Sequence, residues 1–125
     1  MRRVRAAGVT DSRGKDWMPL LQKQQLFVEL LSHLIRFVYE HPTWRLTLGE
    51  GYRSDGQGHM PGSLHYVRLA QDFNLFVEGV YVRGHHPAWD EIGATWKGLH
   101  PLARWGGDFM SRDWNHFSIA HEGKA

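Results

Sequence analysis

The chain has 125 residues, of which 42% are hydrophobic and 13% aromatic, enough apolar material for one compact domain and too much for a disordered segment. The net charge of +2 is too small an excess to indicate a nucleic-acid-binding protein. No cysteine is present, which excludes disulfides, thiolate metal sites and cysteine nucleophiles. Nine histidines and the acidic residues are therefore the candidate metal ligands.

The N-terminal stretch, residues 1–15, mixes Arg, Gly, Ser and Asp without periodicity, and we expect a flexible arm there. A single domain over residues 16–125 is expected to follow it. The arginines of the arm are not followed by the apolar stretch of a signal peptide. A later apolar run is interrupted by Glu29, His33 and Arg36, well short of the ~20 residues of a membrane span. We expect a chain made in the cytoplasm, without stable membrane association.

The first periodic segment is residues 19–40. Phe27, Leu31, Leu34 and Val38 recur at steps of four, three and four, which is typical of an amphipathic helix. The segment begins with a proline, which suits a first helical turn, and ends before a His-Pro pair. The pattern predicts one long helix.

The segments after this helix predict a small antiparallel sheet. Trp44, Leu46 and Leu48 alternate with polar residues, as in a strand that packs on the helix. After a glycine-rich loop, residues 66–84 contain two apolar runs around a Glu-Gly pair, which is typical of a hairpin turn.

The C-terminal third continues this alternation of helix and strand. Residues 87–100 have helical periodicity, residues 101–113 look like a loop, and residues 115–120 form a candidate closing strand. The predicted fold class is α+β, with a small antiparallel sheet and flanking helices.

Two short stretches place histidines beside carboxylates. His65 and Asp72 lie seven positions apart, and the motif DWNHF supplies Asp113 and His116. A catalytic zinc site typically has three protein ligands and one open position. His65, Asp72 and His116 make such a set if the loop that carries His65 folds back over the end of the strand.

Two further side chains suit catalytic roles around such a site. Asp113, three residues before His116, can take a proton from the attacking water and deliver it to the leaving amine. Arg53, in the motif GYRS, can bind a substrate carboxylate or stabilise an oxyanion.

The same five residues also have structural interpretations, and spacing alone leaves both open. The alternatives are a surface loop histidine for His65, a carboxylate bonded to turn amides for Asp72, a half-buried histidine beside aromatic rings for His116, an Asx-turn for Asp113 and a surface ion pair for Arg53.

The order of these motifs resembles peptidase family M15, the D-alanyl-D-alanine carboxypeptidases and dipeptidases and the L-alanyl-D-glutamate endopeptidases of phage lysis enzymes. The family pattern S-x-H-x-x-G-x-A-x-D is matched by Ser63, His65, Ala70 and Asp72, and DWNH matches a later element with an acid three before a histidine. The likeness covers about residues 22–119.

The resemblance implies a hedgehog/DD-peptidase-like fold and one zinc ion per chain, bound by His65, Asp72 and His116. It implies that Asp113 is the catalytic acid/base and that Arg53 binds the substrate or the oxyanion. The implied reaction is hydrolysis of an amide bond in the peptidoglycan stem peptide. Aspartate at position 113 favours the L-alanyl-D-glutamate endopeptidase branch over D-alanyl-D-alanine peptidases. The expected enzyme is monomeric and acts on the cell wall after release from the producing host.

One position departs from the family pattern, because Arg68 stands where the family has glycine. A glycine there allows a backbone with positive φ or a close approach that arginine resists. The geometry of the loop between His65 and Asp72 is therefore the part of the site that the resemblance predicts least well.

Two other functions are compatible with parts of the sequence. A zinc-stabilised wall-binding module would keep the ligands without hydrolysis, but it has no use for Asp113. A His-Asn-His nuclease built on His85, His86, Asn115 and His116 fits poorly with the small positive charge.

Overall fold

The computed structural model describes residues 18–54 and 62–125. The arm predicted for residues 1–15 lies outside these ranges. Within them the chain forms two α-helices, five strands and two one-turn 3-10 helices. In chain order they are α1 (Leu20–Glu40), β1 (Trp44–Leu48), the 3-10 helix Leu64–Val67, β2 (Ala70–Val77), β3 (Val80–Tyr81), α2 (Pro87–Leu99), β4 (Ala103–Trp105), the 3-10 helix Gly106–Asp108 and β5 (His116–Ile119).

Helix α1 buries nearly the face that its periodicity predicts. Phe27, Leu34 and Val38 are buried as expected, but the fourth buried apolar position is Leu30, and Leu31 is only half-buried. Adjacent leucines both fit a helical period, so packing against the sheet decides between them. No helix in the part of the chain that the structure describes has both the length and the apolar character needed to cross a membrane.

The described strands form an antiparallel sheet in the order β1-β2-β5-β4, with β3 paired to β2. Glu78 and Gly79 join β2 to β3 with φ angles of 51° and 78°, as a two-residue hairpin turn with two positive φ values requires. The predicted hairpin is confirmed.

The prediction of a loop over residues 101–113 is wrong at its start. Ala103–Trp105 form the edge strand β4, paired to β5. Three residues are too few for an alternating pattern to be recognised in a sequence. The strand is held by Trp105, whose ring occupies the space that a Cβ on Gly93 of α2 would fill. A glycine on the helix thus permits the close contact between α2 and this edge.

The two faces of the sheet differ in what covers them. On β5 the Phe117 ring packs against Trp89 and Trp96 of α2, at centroid distances of 6.0 and 5.9 Å. Because strand side chains alternate, His116 lies on the opposite face. There it meets the ring of His65, which the 3-10 helix Leu64–Val67 supplies, at 5.2 Å. The helices therefore cover the apolar face and leave the other face for polar side chains.

Candidate metal centre

His65 is positioned by a short turn that folds back over the start of β2. The Ser63 hydroxyl accepts a hydrogen bond from the His65 N–H at 3.3 Å, which caps the turn. The turn ends at Arg68, where φ is 59° and ψ is 36°, so the chain reverses through a left-handed residue. The position where the family pattern has glycine does require positive φ, and arginine adopts it.

The His65 imidazole is oriented by a backbone carbonyl. Its Nδ1 lies 2.8 Å from the carbonyl oxygen of Gly51. A carbonyl only accepts, so Nδ1 carries the proton and Nε2 presents its lone pair on the other side of the ring. That Nε2 lies 3.4 Å from Oδ1 of Asp72, and the side chain is 2% exposed. Outer contacts of this kind fix the tautomer of metal-binding histidines.

Asp72 and His116 are brought together by strand register. They are directly opposite each other on β2 and β5, and Asp72 Oδ1 lies 3.1 Å from His116 Nδ1. Beyond the end of β1, the Asp72 carbonyl accepts from the Gly49 N–H, and the Asp72 N–H donates to the Glu50 carbonyl, both at 2.8 Å. The carboxylate is therefore attached to backbone that two hydrogen bonds hold against the segment after β1.

These three side chains have the geometry of a metal site. One donor atom from each of His65, Asp72 and His116 lies within 4.8 Å of the other two. Bonds of about 2.1 Å to a tetrahedral zinc ion place its ligand atoms about 3.4 Å apart. The two separations from Asp72 Oδ1, 3.1 and 3.4 Å, agree with that value. Two imidazole nitrogens and one carboxylate can therefore hold a metal ion.

The protonation behaviour of the group reflects its close packing. Burial acts to raise the pKa of Asp72, but hydrogen bonds from His116 and His65 and the charges of both rings lower it to about 2. Burial acts to lower the pKa of His65, but the Asp72 hydrogen bond, the Gly51 carbonyl and the charges of Asp72 and Glu50 raise it above 6.5. A carboxylate that stays ionised at low pH is a suitable metal ligand.

Arg53 lies beside His65 and is paired with an acid that the sequence did not single out. The Arg53 N–H donates to the His65 carbonyl at 3.3 Å, and its Nη1 lies 2.7 Å from Oε1 of Glu50. The charge of Glu50 also acts on His65, so this ion pair borders the metal group, which is the set of His65, Asp72 and His116. Glu50 follows no recognisable pattern in a glycine-rich loop, and its position three before Arg53 was the one available signal.

Asp113 is held by a tight turn in front of β5. Its N–H donates to the Gly106 carbonyl at 2.9 Å, and its carbonyl accepts from the His116 N–H at 3.1 Å. A Cβ on Gly106 would overlap the Asp113 carbonyl and approach the Cβ of His116 to 2.8 Å. The Asp113 side chain is exposed and is not one of the three grouped ligands. The Trp-Gly-Gly motif thus supports the turn that carries the acid.

The histidine pair before α2 is used elsewhere. His85 Nε2 lies 2.9 Å from Oδ2 of Asp90 on the exposed surface. His86 caps α2, where its Nδ1 accepts from the Ala88 N–H at 3.0 Å. Neither histidine belongs to the three-residue group.

Fold and site together define a class: small α+β proteins in which two histidines and an aspartate meet on the polar face of an antiparallel sheet. No family model and no curated protein matches the sequence. Among solved structures, the chain is similar to the L-Ala D-Glu endopeptidase ChiX of Serratia marcescens, with a TM-score of 0.59 and 16% identity over 82% of this chain and 87% of that one. At this identity the likeness shows the fold, and the predicted α+β architecture is confirmed.

Proposed function

We propose that the chain is an M15-type zinc peptidase that hydrolyses the L-alanyl-D-glutamate bond of the peptidoglycan stem peptide. The observation that supports this most strongly is the convergence of His65, Asp72 and His116, with donor atoms within 4.8 Å of one another, in a fold shared with an L-Ala D-Glu endopeptidase. The proposal includes a role in phage-type lysis, with action on the wall after release from the host.

The proposal assigns each site residue the role that the resemblance implies. His65 Nε2, Asp72 Oδ1 and His116 Nδ1 would hold the zinc ion, which supplies Lewis acidity when bound. Asp113 takes the proton of the attacking water and passes it to the leaving amine. Arg53 stabilises the negative charge that develops on the carbonyl oxygen.

Attack of water on the amide gives a tetrahedral intermediate, so Asp113 and the metal ligands must be held at fixed positions relative to each other. The turn from Asp113 to His116 provides this, since its hydrogen bond joins the backbone of the acid to that of a ligand. Asp113 also favours an enzyme over the alternative of a wall-binding module, because a module that only binds zinc has no role for this acid.

Mass spectrometry of digested peptidoglycan tests the proposal. Zinc-loaded protein should produce new N-terminal D-glutamate, and Asp113→Asn should retain one zinc per chain while cleavage falls by about 100-fold or more. Release of D-alanine would instead indicate a D-alanyl-D-alanine peptidase. Intact peptidoglycan in the presence of fully zinc-loaded protein would favour the binding module.

A further inference from the structure

A cavity of about 250 Å³ lies in a gap along β2. On the side of β2 that faces away from β1, the strand pairs with two segments in turn. The Phe73 N–H donates to the Asn115 carbonyl in front of β5 at 3.0 Å, whereas the Leu75 carbonyl accepts from the Val82 N–H beyond β3 at 2.9 Å. Asn74 lies between these two contacts and lines the cavity. The cavity therefore occupies the space where one strand partner ends and the next begins.

The cavity has aromatic walls. Tyr81, Trp89 and Trp114 all line it, and the backbone of Trp114 is held because its carbonyl accepts from the Trp105 indole N–H at 2.8 Å. Aromatic rings present flat apolar surfaces that lose little conformational freedom when a ligand binds. The walls can thus contact the aliphatic part of a small residue.

One cation lines this cavity. Among the residues that the structure describes, the Arg112 side chain has no ion pair or hydrogen bond. Other arginines are engaged: Arg53 pairs with Glu50, and Arg45 and Arg104 each donate to two backbone carbonyls. The guanidinium of Arg112 retains all its donors for an incoming group, and its fork geometry matches a carboxylate.

The cavity adjoins the proposed reaction centre. Asp113 lines it and directly follows Arg112, and Asn115 directly precedes His116. On β2, Asn74 lies two residues from Asp72 and therefore on the same face of the sheet. A substrate with its scissile amide at the metal group can place a neighbouring residue in the cavity.

We propose that this cavity binds a substrate residue with a free carboxylate, and that Arg112 determines the specificity for it. The inference rests on the proposed function. When D-glutamate is linked onward through its side-chain carboxyl, its α-carboxylate remains free beside the scissile amide. Asp113 would repel that charge, and Arg112 compensates for the repulsion. Arg53 is then left to act on the oxyanion.

Two synthetic stem peptides test the assignment: one with D-glutamate after L-alanine, the other with D-isoglutamine, in which the same carboxyl is an amide. Wild-type protein should cleave the carboxylate form at least about tenfold faster in kcat/KM. Arg112→Gln should remove about 10-fold to 100-fold of kcat/KM for that form and leave the amide form within about twofold. Arg112→Lys should retain part of the preference.

Arg36→Gln is the matched control, because Arg36 is an exposed arginine on α1 and its loss changes the net charge equally. It should leave both rates unchanged, and zinc content and melting temperature should be the same in all variants. Equal losses on both peptides in Arg112→Gln, or no loss on either, would overturn the role of Arg112.

Calorimetric binding of the same peptides separates failure of this inference from failure of the proposed function. If wild-type protein hydrolyses neither peptide but binds the carboxylate form more tightly, and Arg112→Gln loses that preference, the catalytic proposal fails and the cavity assignment stands. If it hydrolyses both peptides at the same rate, the cavity assignment alone fails. If it neither hydrolyses nor discriminates in binding, both are rejected.

Discussion

The metal group is assembled from two regions that hold their side chains in different ways. In the sheet region, Asp72 and His116 face each other because antiparallel register places them opposite each other. In the loop region, His65 depends on local contacts: a hydroxyl cap from Ser63, the Gly51 carbonyl and the left-handed turn at Arg68. Register is a property of the whole sheet, whereas these contacts act on a few residues. Changes in the loop region should therefore alter the site without disturbing the fold.

The largest expected effect comes from removing a ligand in either region. His65→Ala and His116→Ala should each lower zinc affinity by more than about 100-fold, since even outer contacts of metal ligands contribute up to that much. Zinc content after dialysis measures this loss. His85→Ala is the control, because His85 is exposed and paired with Asp90.

Hydrogen exchange on the same variants distinguishes the regions. In His65→Ala, faster exchange should stay within residues 49–54 and 62–68, because the sheet register remains. Faster exchange throughout β2 and β5 in that variant would contradict the distinction between sheet and loop.

The next largest effect is the pH dependence of stability in the metal-free protein. A pKa of about 2 for Asp72 in place of 3.8 contributes about 2 kcal/mol above pH ~4, which is lost as the pH falls towards 2. The raised pKa of His65 contributes stability below its ordinary value of 6.5, which is lost as the pH rises through the raised value. Urea unfolding should thus show a maximum between these limits.

A substitution assigns the acid limb of that curve to the sheet region. Asp72→Asn should remove the loss of stability at acid pH. Asp90→Asn, which breaks the exposed ion pair between His85 and Asp90, should leave that loss unchanged. Zinc binding requires neutral imidazoles, so zinc affinity should instead fall as the pH drops below the pKa of His65. An unchanged acid limb in Asp72→Asn would show that the sheet region does not hold an ionised carboxylate.

A smaller effect is expected from Glu50→Gln in the loop region. Loss of the ion pair should release Arg53 and lower kcat/KM about tenfold while zinc content stays constant. Glu91→Gln, on the exposed side of α2, controls for the change of charge. The effect should vanish in an Arg53→Gln background, and a persistent tenfold loss there would show that Glu50 acts by another route.

The smallest expected effect is on stability, at Arg68. A left-handed backbone costs a non-glycine residue about 1–2 kcal/mol. The Arg68 guanidinium lies 3.8 Å from the Tyr52 ring centroid, a contact worth about 0.5–1 kcal/mol when exposed. Arg68→Gly should therefore raise the free energy of unfolding by about 0.5 kcal/mol in urea titrations. A decrease would show that the contact with Tyr52 outweighs the backbone strain.

Predictions from sequence were most successful for the regular elements of the sheet region. The strands that carry Asp72 and His116, the hairpin and both helices were predicted near their observed positions, whereas β4 was not. His65 was placed by motif spacing, and its loop does fold back as required. The roles of all five site residues remain proposals.

The features that sequence reasoning missed depend on contacts between distant parts of the chain. β4 has three residues, and its position follows from the packing of Trp105 on Gly93. Glu50 is notable because of its partner Arg53 and its proximity to His65. The cavity beside Arg112 exists because β2 changes partners near Asn74, and no local pattern reports such a change.

The central claim is most directly tested with zinc-loaded protein and a synthetic peptide that contains one L-alanyl-D-glutamate bond. Mass spectrometry should find products cut at that bond, with activity lost on chelation and restored when zinc is added. An intact peptide after incubation with zinc-loaded wild-type protein, or cleavage that persists in chelator, would contradict the account.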